Sequence, residues 1–169
     1  MSAFVDSLLK LVEGVGAQPY GNAELSEIEH AIQSAVLARN ENAADHMVAA
    51  ALLHDLGHLV VRSAVGLTGL GVDNKHEAIA AAFLSGYFPP SVTEPIRLHV
   101  SAKRYLFTTD EGYRSAMTPV ARRSMERQGG GFTREEAREF ERLSFAQEAI
   151  RLRRWDDAAM IPGQCPGTV

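Results

Sequence analysis

The chain has 169 residues, of which 46% are hydrophobic and 22% are charged, and this fits one globular domain with a full core. The formal net charge of −4 argues against a nucleic-acid partner, because nucleic-acid binders usually present a basic face. One cysteine, Cys165, excludes an internal disulfide framework, and we expect a cytoplasmic protein with neither a signal peptide nor a membrane-spanning helix.

Apolar residues recur with a helical period along almost the whole chain, which predicts an all-α bundle of about seven or eight helices. The predicted helices cover residues 2–13, 24–39, 42–56, 73–86, 93–107, 118–128, 134–142 and 144–160. Their predicted end signals are Gly57 as a C-terminal stop, Asp73 or Asn74, Thr118–Pro119, and capping boxes at Thr133/Glu136 and Ser144/Gln147. We expect a single domain over residues 1–161 and a flexible tail over residues 162–169.

The stretch "ALLHDLGHLV", residues 51–60, places His54, Asp55 and His58 inside an otherwise apolar run. Burying an unpaired polar group costs about 1–3 kcal/mol, so such residues need a reason to be there. His54 and His58 are four residues apart and share one face if the helix continues that far. The run is therefore a candidate functional site.

Three further histidines fall on faces that can reach the same interior. His76 shares a helical face with Ala80, Phe83 and Tyr87. His99 shares a face with Ile96, Lys103 and Leu106. His30 lies opposite the apolar face of its helix, so it faces either a polar cavity or solvent. A lone inward histidine is usually a hydrogen-bonded core residue. Several from four helices favour a shared metal, whereas His46 matches no such pattern and is expected at the surface.

The last helix supplies a carboxylate. Asp156 falls on the inward stripe of residues 145–159, whereas Asp157 lies on the face of Arg153 and Arg154. The alternative is that Asp156 is only the ion-pair partner of Arg153. Four imidazoles and two carboxylates exceed what one catalytic zinc needs, and they suit two first-row metals bridged by Asp55, with iron or manganese favoured by the N/O ligands.

The order His30, His54-Asp55 and Asp156 resembles the signature of the HD superfamily of metal-dependent phosphohydrolases. The segments "KHEAIAAAFL", "LHVSAKRYL", "RRSMERQGGGFTREEAREFE" and "LRRWDDAAM" narrow this resemblance. Together they look like the HD-domain diiron oxygenases of organophosphonate breakdown, a group related to the diiron oxygenase of inositol catabolism. The resemblance covers roughly residues 20–160.

This resemblance implies an HD fold that holds a mixed-valent Fe(II)/Fe(III) pair. His30, His54, Asp55 and Asp156 would hold one iron, Asp55 would bridge, and His76 and His99 would hold the second. The implied reaction uses O2 to cleave the carbon–phosphorus bond of a small 1-hydroxyphosphonate, such as 1-hydroxy-2-aminoethylphosphonate or its N-methylated form, and releases phosphate and a carboxylic acid. The implied catalytic residues are His54, Asp55, His58 and Lys103.

Cationic and hydrogen-bonding side chains near these ligands suit a phosphonate anion. Lys103 lies one turn beyond His99, although a lysine there can also extend its ammonium group to the surface. Arg153 offers a planar donor fork, and Ser124 and Gln128 offer neutral donors unless they only end a helix. The remaining predicted substrate contacts are Tyr20, Glu24 and His58. Glu24 lies six residues before His30, where relatives are expected to have seven, and can instead be a first-turn carboxylate.

Two other functions remain open at the level of the sequence. An HD-type phosphohydrolase, in which a metal-bound hydroxide attacks a phosphate ester, needs His30, His54, Asp55 and Asp156 but has less need of His76 and His99. A non-catalytic HD module usually lacks some of the ligands. The expected partners are a phosphonate and O2, and the oligomeric state is open, a homo-oligomer included.

Overall fold

In a computed structural model, the described parts of the protein are residues 3–11, 25–65 and 75–161. They form helices and contain no β-strand, which confirms the all-α fold. The helices are α1 (Ala3–Leu11), α2 (Glu27–Asn40), α3 (Asp45–Leu53), α4 (Leu56–Val65), α5 (His76–Leu84), α6 (Pro90–Thr109), α7 (Glu111–Ala116), α8 (Pro119–Arg127), α9 (Arg134–Glu141) and α10 (Ala146–Ala158). None of these helices is long and apolar enough to cross a membrane.

The long helix α6 lies at the centre of the bundle, where it contacts α3, α5, α7, α9 and α10. Leu84 on α5, Ile96 on α6 and Leu152 on α10 are fully buried in the main core. Helices α2, α3 and α4 also contribute buried residues to this core. Burying such a side chain contributes about 1.5–3 kcal/mol each. The helices that carry the candidate ligands are thus held by one continuous apolar core.

Two of the predicted end signals are confirmed. The Thr118 hydroxyl accepts a hydrogen bond from the Ala121 backbone N–H, and Pro119 occupies the first turn of α8. Thr133 and Glu136 form the predicted capping box at the start of α9, with both of its hydrogen bonds present. These signals depend on residues within one turn, so the sequence alone is enough to find them.

The predicted helix over residues 42–56 is wrong in one important respect. Helix α3 ends at Leu53 and α4 begins at Leu56, so Gly57 lies in the first turn of α4 and is not a C-terminal stop. A Cβ atom at Gly57 would lie 2.0 Å from the carbonyl oxygen of His76. The glycine is required because α4 and the start of α5 approach each other too closely for any side chain.

Other predicted boundaries also differ from the structure. The N-cap of α5 is Lys75, and Asp73 and Asn74 lie outside the described residues. Helix α10 begins after Phe145 without a side-chain cap, so the box at Ser144 and Gln147 is absent. Helix α6 begins at Pro90 and not near Thr93. The helix count exceeds the prediction because α3 and α4 are separate and α7 was not predicted.

Candidate metal centre

The break between α3 and α4 places the His54–Asp55 pair in the interior. His54 is the C-cap of α3, and the carbonyl group of Asp55 accepts the His58 backbone N–H in the first turn of α4. Because the chain turns at this point, His54 and Asp55 both direct their side chains inward, with exposed fractions of 0% and 6%. The helix does not continue from His54 to His58, so the condition under which these two histidines would share one helical face is not met.

Four imidazoles meet around the Asp55 carboxylate in two pairs. The Nε2 atoms of His30 and His54 are 3.3 Å apart, and those of His76 and His99 are 3.1 Å apart. Asp55 Oδ2 lies 3.4 Å from His54 Nε2 and 3.8 Å from His30 Nε2. Its other oxygen, Oδ1, lies 3.4 Å from His76 Nε2 and 3.7 Å from His99 Nε2. Each carboxylate oxygen of Asp55 thus faces one pair.

Asp156 adds a second carboxylate to the His30/His54 pair. Its Oδ1 lies 3.2 Å from His30 Nε2, and its Oδ2 lies 3.6 Å from His54 Nε2. Asp157 instead contacts Arg153 and Tyr113. The structure thus brings together the six side chains predicted as ligands, namely His30, His54, Asp55, His76, His99 and Asp156.

The outer nitrogens of three imidazoles indicate which ring nitrogen is protonated. The Nδ1 atoms of His30, His54 and His99 lie 2.7–2.9 Å from the backbone carbonyl oxygens of Ala159, Ala51 and Ile96. A carbonyl group only accepts, so each Nδ1 carries a proton, and in the neutral form of each ring the Nε2 presents a lone pair to the centre. In those neutral rings two facing lone pairs at 3.3 Å cannot hydrogen bond each other, but two nitrogens on one metal are roughly 3 Å apart.

The Asp55 carboxylate gives a second reason to expect a cation. Among the described residues, its Oδ2 is buried and accepts no hydrogen bond. Two sets of side chains, His30/His54/Asp55 and Asp55/His76/His99, have the spacing of metal ligands and are fully buried. The protein therefore has the donor set of a metal-binding site, and the outer contacts of the imidazoles are those that usually orient metal-bound histidines.

Burial opposes charge throughout this centre, and the neighbours decide the outcome for each group. Burial alone would raise the pKa of Asp55. The imidazoles of His54, His58 and His76 outweigh burial and hold this pKa far below its usual range. Burial would lower the pKa of His54, but the carboxylates of Asp55 and Asp156 raise it to about 9. Burial and the charge of His54 lower the pKa of His99 to about 4, so His99 is neutral near pH 7.

A cationic side of the site is formed by Lys103 and Arg153. Lys103 is only 5% exposed and donates to Gln128 Oε1 at 3.3 Å, so its ammonium group does not extend to the surface. Burial and the nearby charge of Arg153 lower the pKa of Lys103 to about 8. Arg153 Nη1 lies 2.6 Å from Asp156 Oδ2. The ion pair that was the alternative for Asp156 is therefore present, and it coexists with the contacts to His30 and His54.

The turn after α8 positions Gln128. Gly129 and Gly130 adopt positive φ angles of 102° and 69°, which residues other than glycine rarely adopt. The Arg104 guanidinium donates to the carbonyl oxygens of both glycines, at 3.2 Å for Gly129 and 2.7 Å for Gly130. Arg104 also lies over the Phe132 ring. This turn directs the Gln128 amide toward Lys103.

The remaining predicted residues vary in their placement. The His58 ring is stacked on the His76 ring with centroids 4.0 Å apart, and Ser124 is half-buried one turn before Gln128. His46 is exposed, as predicted. In the stripe predicted for His76, Ala80 is buried, but Phe83 and Tyr87 are exposed. The rings of Phe83 and Tyr87 contact the Phe4 ring of α1. Tyr20 and Glu24 lie outside the described residues.

Tyr113 was not predicted as a residue of this region, although its hydroxyl donates a hydrogen bond to Asp157 Oδ2 at 2.5 Å. Tyr113 lies on α7, which begins after the N-cap Asp110. An aspartate before a short polar run was the available signal. The run is too short to show a helical period, so the helix was not found.

The fold and the site together define a class, an all-α protein whose buried histidines and aspartates form metal-binding clusters. No protein-family model matches the chain. It is 40% identical over 160 residues to hydroxymethylphosphonate dioxygenase of Gimesia maris, a match that covers 94% of this chain and 79% of the relative.

Two other relatives match over most of the chain. It is 32% identical over 143 residues to the glycine-betaine-forming [1-hydroxy-2-(trimethylamino)ethyl]phosphonate dioxygenase of Leisingera caerulea, with 85% of this chain and 73% of the relative covered. It is 30% identical over 160 residues to the uncharacterized protein L432 of Acanthamoeba polyphaga mimivirus, with 93% and 73% covered. The chain therefore belongs to the phosphonate dioxygenase family, and the predicted enzyme class, an O2-dependent oxygenase, is confirmed.

Proposed function

We propose that this protein is a diiron oxygenase that uses O2 to cleave the carbon–phosphorus bond of a small 1-hydroxyphosphonate. The observation that carries the proposal is the Asp55 carboxylate, which faces one imidazole pair with each of its oxygens. A carboxylate in this position suits a bridge between two metals, which an ordinary hydrolytic site with one metal does not need.

The six converging side chains divide into two ligand sets that share Asp55. His30, His54 and Asp156 would complete the first set, and His76 and His99 the second. Imidazole and carboxylate donors without a thiolate suit iron, and we propose a mixed-valent Fe(II)/Fe(III) pair. When bound, the pair would supply the one-electron redox chemistry that lets O2 react with an organic substrate.

Lys103 and Arg153 would bind the phosphonate group. Both cations are at least nine-tenths buried, and each lies one turn from a proposed ligand, His99 or Asp156. Buried charge-assisted hydrogen bonds to an anion are strong, and the arginine fork also fixes the orientation of the anion. Further hydrogen bonds to the phosphonate would come from Gln128, which accepts a hydrogen bond from Lys103. Ser124 and the His58 ring, which is stacked on His76, would add others.

The overall reaction balances without a further reductant. Hydroxymethylphosphonate and O2 give formic acid and hydrogen phosphate, and the substrate carbon supplies the electrons that reduce O2. The protein has to hold the phosphonate group and the hydroxyl-bearing carbon in one orientation beside the metals. It also has to exclude water from the site, which the full burial of the imidazoles favours.

Among phosphonates, we place hydroxymethylphosphonate first, because the relative with that substrate in its name is the more similar of the two dioxygenases. A substrate with an amino or N-methylated amino end, as the sequence first suggested, is the second candidate. Glu24 remains the predicted contact for that end of the substrate, and Tyr20 remains a predicted substrate contact that would cover the metal site.

Several predictions accompany this proposal and stay predictions. They are the assignment to the HD superfamily, the division into one domain over residues 1–161 and a tail, the cytoplasmic location, the lack of a nucleic-acid partner, and a homo-oligomer as one open state. The phosphohydrolase alternative is disfavoured by the dioxygenase relatives.

The test is an assay of phosphate release with and without O2. Iron-loaded protein is incubated with hydroxymethylphosphonate, 1-hydroxy-2-aminoethylphosphonate, 1-hydroxy-2-(trimethylamino)ethylphosphonate and, as a control, a phosphate monoester. We expect phosphate from at least one phosphonate in air and none under anaerobic conditions. Phosphate release from the ester with zinc or manganese alone, independent of O2, would instead support the hydrolase.

A further inference from the structure

The guanidinium group of Arg153 lies between two carboxylates of its own helix. Its Nε donates to Asp157 Oδ2 at 2.9 Å, its Nη2 donates to Asp157 Oδ1, and its Nη1 lies 2.6 Å from Asp156 Oδ2. Three of the five N–H donors of the guanidinium are therefore directed to carboxylates, and two remain for another anion. Which two remain depends on Asp157, because it occupies one complete edge of the fork.

Asp157 is in turn held by Tyr113. The Tyr113 hydroxyl donates to Asp157 Oδ2 at 2.5 Å, across 44 positions of the chain. Burial raises the pKa of Tyr113, so the phenol keeps its proton and remains a donor at neutral pH. Tyr113 thus links α7 to the carboxylate that occupies the Nε–Nη2 edge of Arg153.

A second contact joins the same two helices without involving Arg153. Arg154 Nη2 donates to Asp110 Oδ2 at 2.9 Å, and Asp110 is the N-cap of α7. Both side chains of this second contact reach solvent, with exposed fractions of 53% for Arg154 and 34% for Asp110. This exposed pair offers a matched control, because it joins α7 to α10 but has no contact with the metal centre.

We propose that Tyr113 and Asp157 are positioning residues that hold Arg153 in place for the phosphonate, an inference that rests on the proposed function. Together they keep one edge of the guanidinium occupied and leave two N–H groups directed at a bound anion. Without Asp157, the guanidinium would turn toward Asp156, its only other carboxylate partner within α10. That movement would remove donors from the anion and weaken the hold of Asp156 on a metal.

The test uses inorganic phosphate as the probe, and it measures its dissociation constant by calorimetry on the iron-loaded protein under anaerobic conditions. The variants are Tyr113→Phe, Asp157→Asn, the double variant and Arg154→Gln as the control. Loss of one hydrogen bond to a charged group typically corresponds to about a tenfold change, so we expect Tyr113→Phe to weaken phosphate binding roughly three- to tenfold. Asp157→Asn should weaken it more, and Arg154→Gln should leave it unchanged.

The double variant separates a positioning role from a merely structural one. If Tyr113 acts through Asp157, the double variant binds phosphate no more weakly than Asp157→Asn alone, because the second change removes a contact that has already lost its effect. The KM for the phosphonate should rise by the same factor while kcat changes little. Additive losses in the double variant, or equal losses in Arg154→Gln, would overturn the proposal.

The binding assay does not depend on turnover, so the two proposals can fail separately. Wild-type protein that binds phosphate and shows the expected variant pattern, but releases no phosphate in air, contradicts the oxygenase and leaves the positioning role standing. Wild-type turnover with Tyr113→Phe binding phosphate as tightly as wild type contradicts the positioning role alone. A wild-type protein that does not bind phosphate at all contradicts the positioning role.

Discussion

The two halves of the candidate metal centre differ in charge. The His30/His54 half has two carboxylates at its inner Nε2 atoms, Asp55 and Asp156, whereas the His76/His99 half shares Asp55 and has Glu77 at the outer Nδ1 of His76. The pKa values follow this difference, since carboxylates raise that of His54 to about 9 while that of His99 falls to about 4. The first half would therefore suit the more highly charged ion of the proposed pair, and the second half has fewer candidate ligands at its Nε2 atoms.

The same asymmetry extends to the surrounding side chains. Arg153 already pairs with Asp156 in the first half, whereas Lys103 lies one turn beyond His99 and, among the described residues, donates its hydrogen bond to a neutral amide, that of Gln128. A phosphonate that binds the second ion would therefore meet the Lys103 ammonium group directly. Metal binding and substrate binding therefore place different demands on the two halves.

The largest effect is expected when the second half loses a ligand. His99→Ala should reduce the iron content from about two to about one per chain and abolish oxygenase activity, because the remaining imidazole of His76 cannot hold the ion with Asp55 alone. The measurements are iron analysis and phosphate release. Circular dichroism should show that the helices persist, and retention of two irons by this variant would contradict the division into halves.

The next effect concerns the cation beside the second half. Lys103→Ala should raise the KM for the phosphonate about 10- to 100-fold while both irons remain, because a charge-assisted hydrogen bond is lost. Steady-state kinetics with iron analysis on the same preparation checks this. Lys103→Arg is the matched control and should recover part of the affinity; loss of iron from Lys103→Ala would show that the lysine is structural.

The pH dependence of binding follows from the same group. The pKa of Lys103 is lowered to about 8, so its ammonium group loses its proton as the pH rises through about 8. Phosphonate binding should weaken above that pH, by about tenfold per pH unit once the amine is neutral. KM measured from pH 7 to 10 checks this, and in Lys103→Arg the alkaline rise should be absent.

A packing change tests how α4 and α5 support the second half. Gly57→Ala adds a Cβ 2.0 Å from the carbonyl oxygen of His76, so it should destabilise the fold by about 1–3 kcal/mol. Because His76 begins α5, the ion of its half should also be held more weakly than the ion at His30 and His54. Thermal unfolding and removal of iron by a chelator measure the two effects; equal loss from both halves would argue against local coupling.

The smallest effect lies outside both halves. Thr133→Ala removes the capping box of α9 and should cost about 1 kcal/mol of the free energy of unfolding. Neither the KM nor the iron content should change, since α9 contributes no side chain to the centre. Denaturant unfolding beside a standard activity assay makes this variant a control for stability alone.

The sequence was sufficient for the parts of the site that depend on one helical face. The inward placement of His99, Lys103 and Asp156 follows from helical spacing, and all three are buried; His76 is buried too, but only Ala80 of its predicted stripe is buried with it. Spacing does not reveal where a helix breaks, and for that reason the turn at His54–Asp55 was predicted as continuous helix. The close approach of Gly57 to α5, just after that turn, is a tertiary contact that spacing within one helix does not show either.

Long-range contacts account for most of the other omissions. Tyr113 reaches Asp157 over 44 positions, and the short α7 that carries it has no apolar stripe to mark it. The starting point of α6 was misplaced because Pro90 occupies the first turn, where proline is tolerated, and was treated as part of a loop. Local signals thus located the helices that carry the ligands but not the contacts that orient their partners.

The central claim is that Asp55 bridges two metal ions held by two imidazole pairs. The most direct measurement is anomalous X-ray scattering at the iron edge from crystals of the iron-loaded protein. The account predicts two peaks, one beside His30 and His54 and one beside His76 and His99, each about 2.0–2.2 Å from a different oxygen of Asp55. A single peak, or a second peak without contact to Asp55, would contradict it.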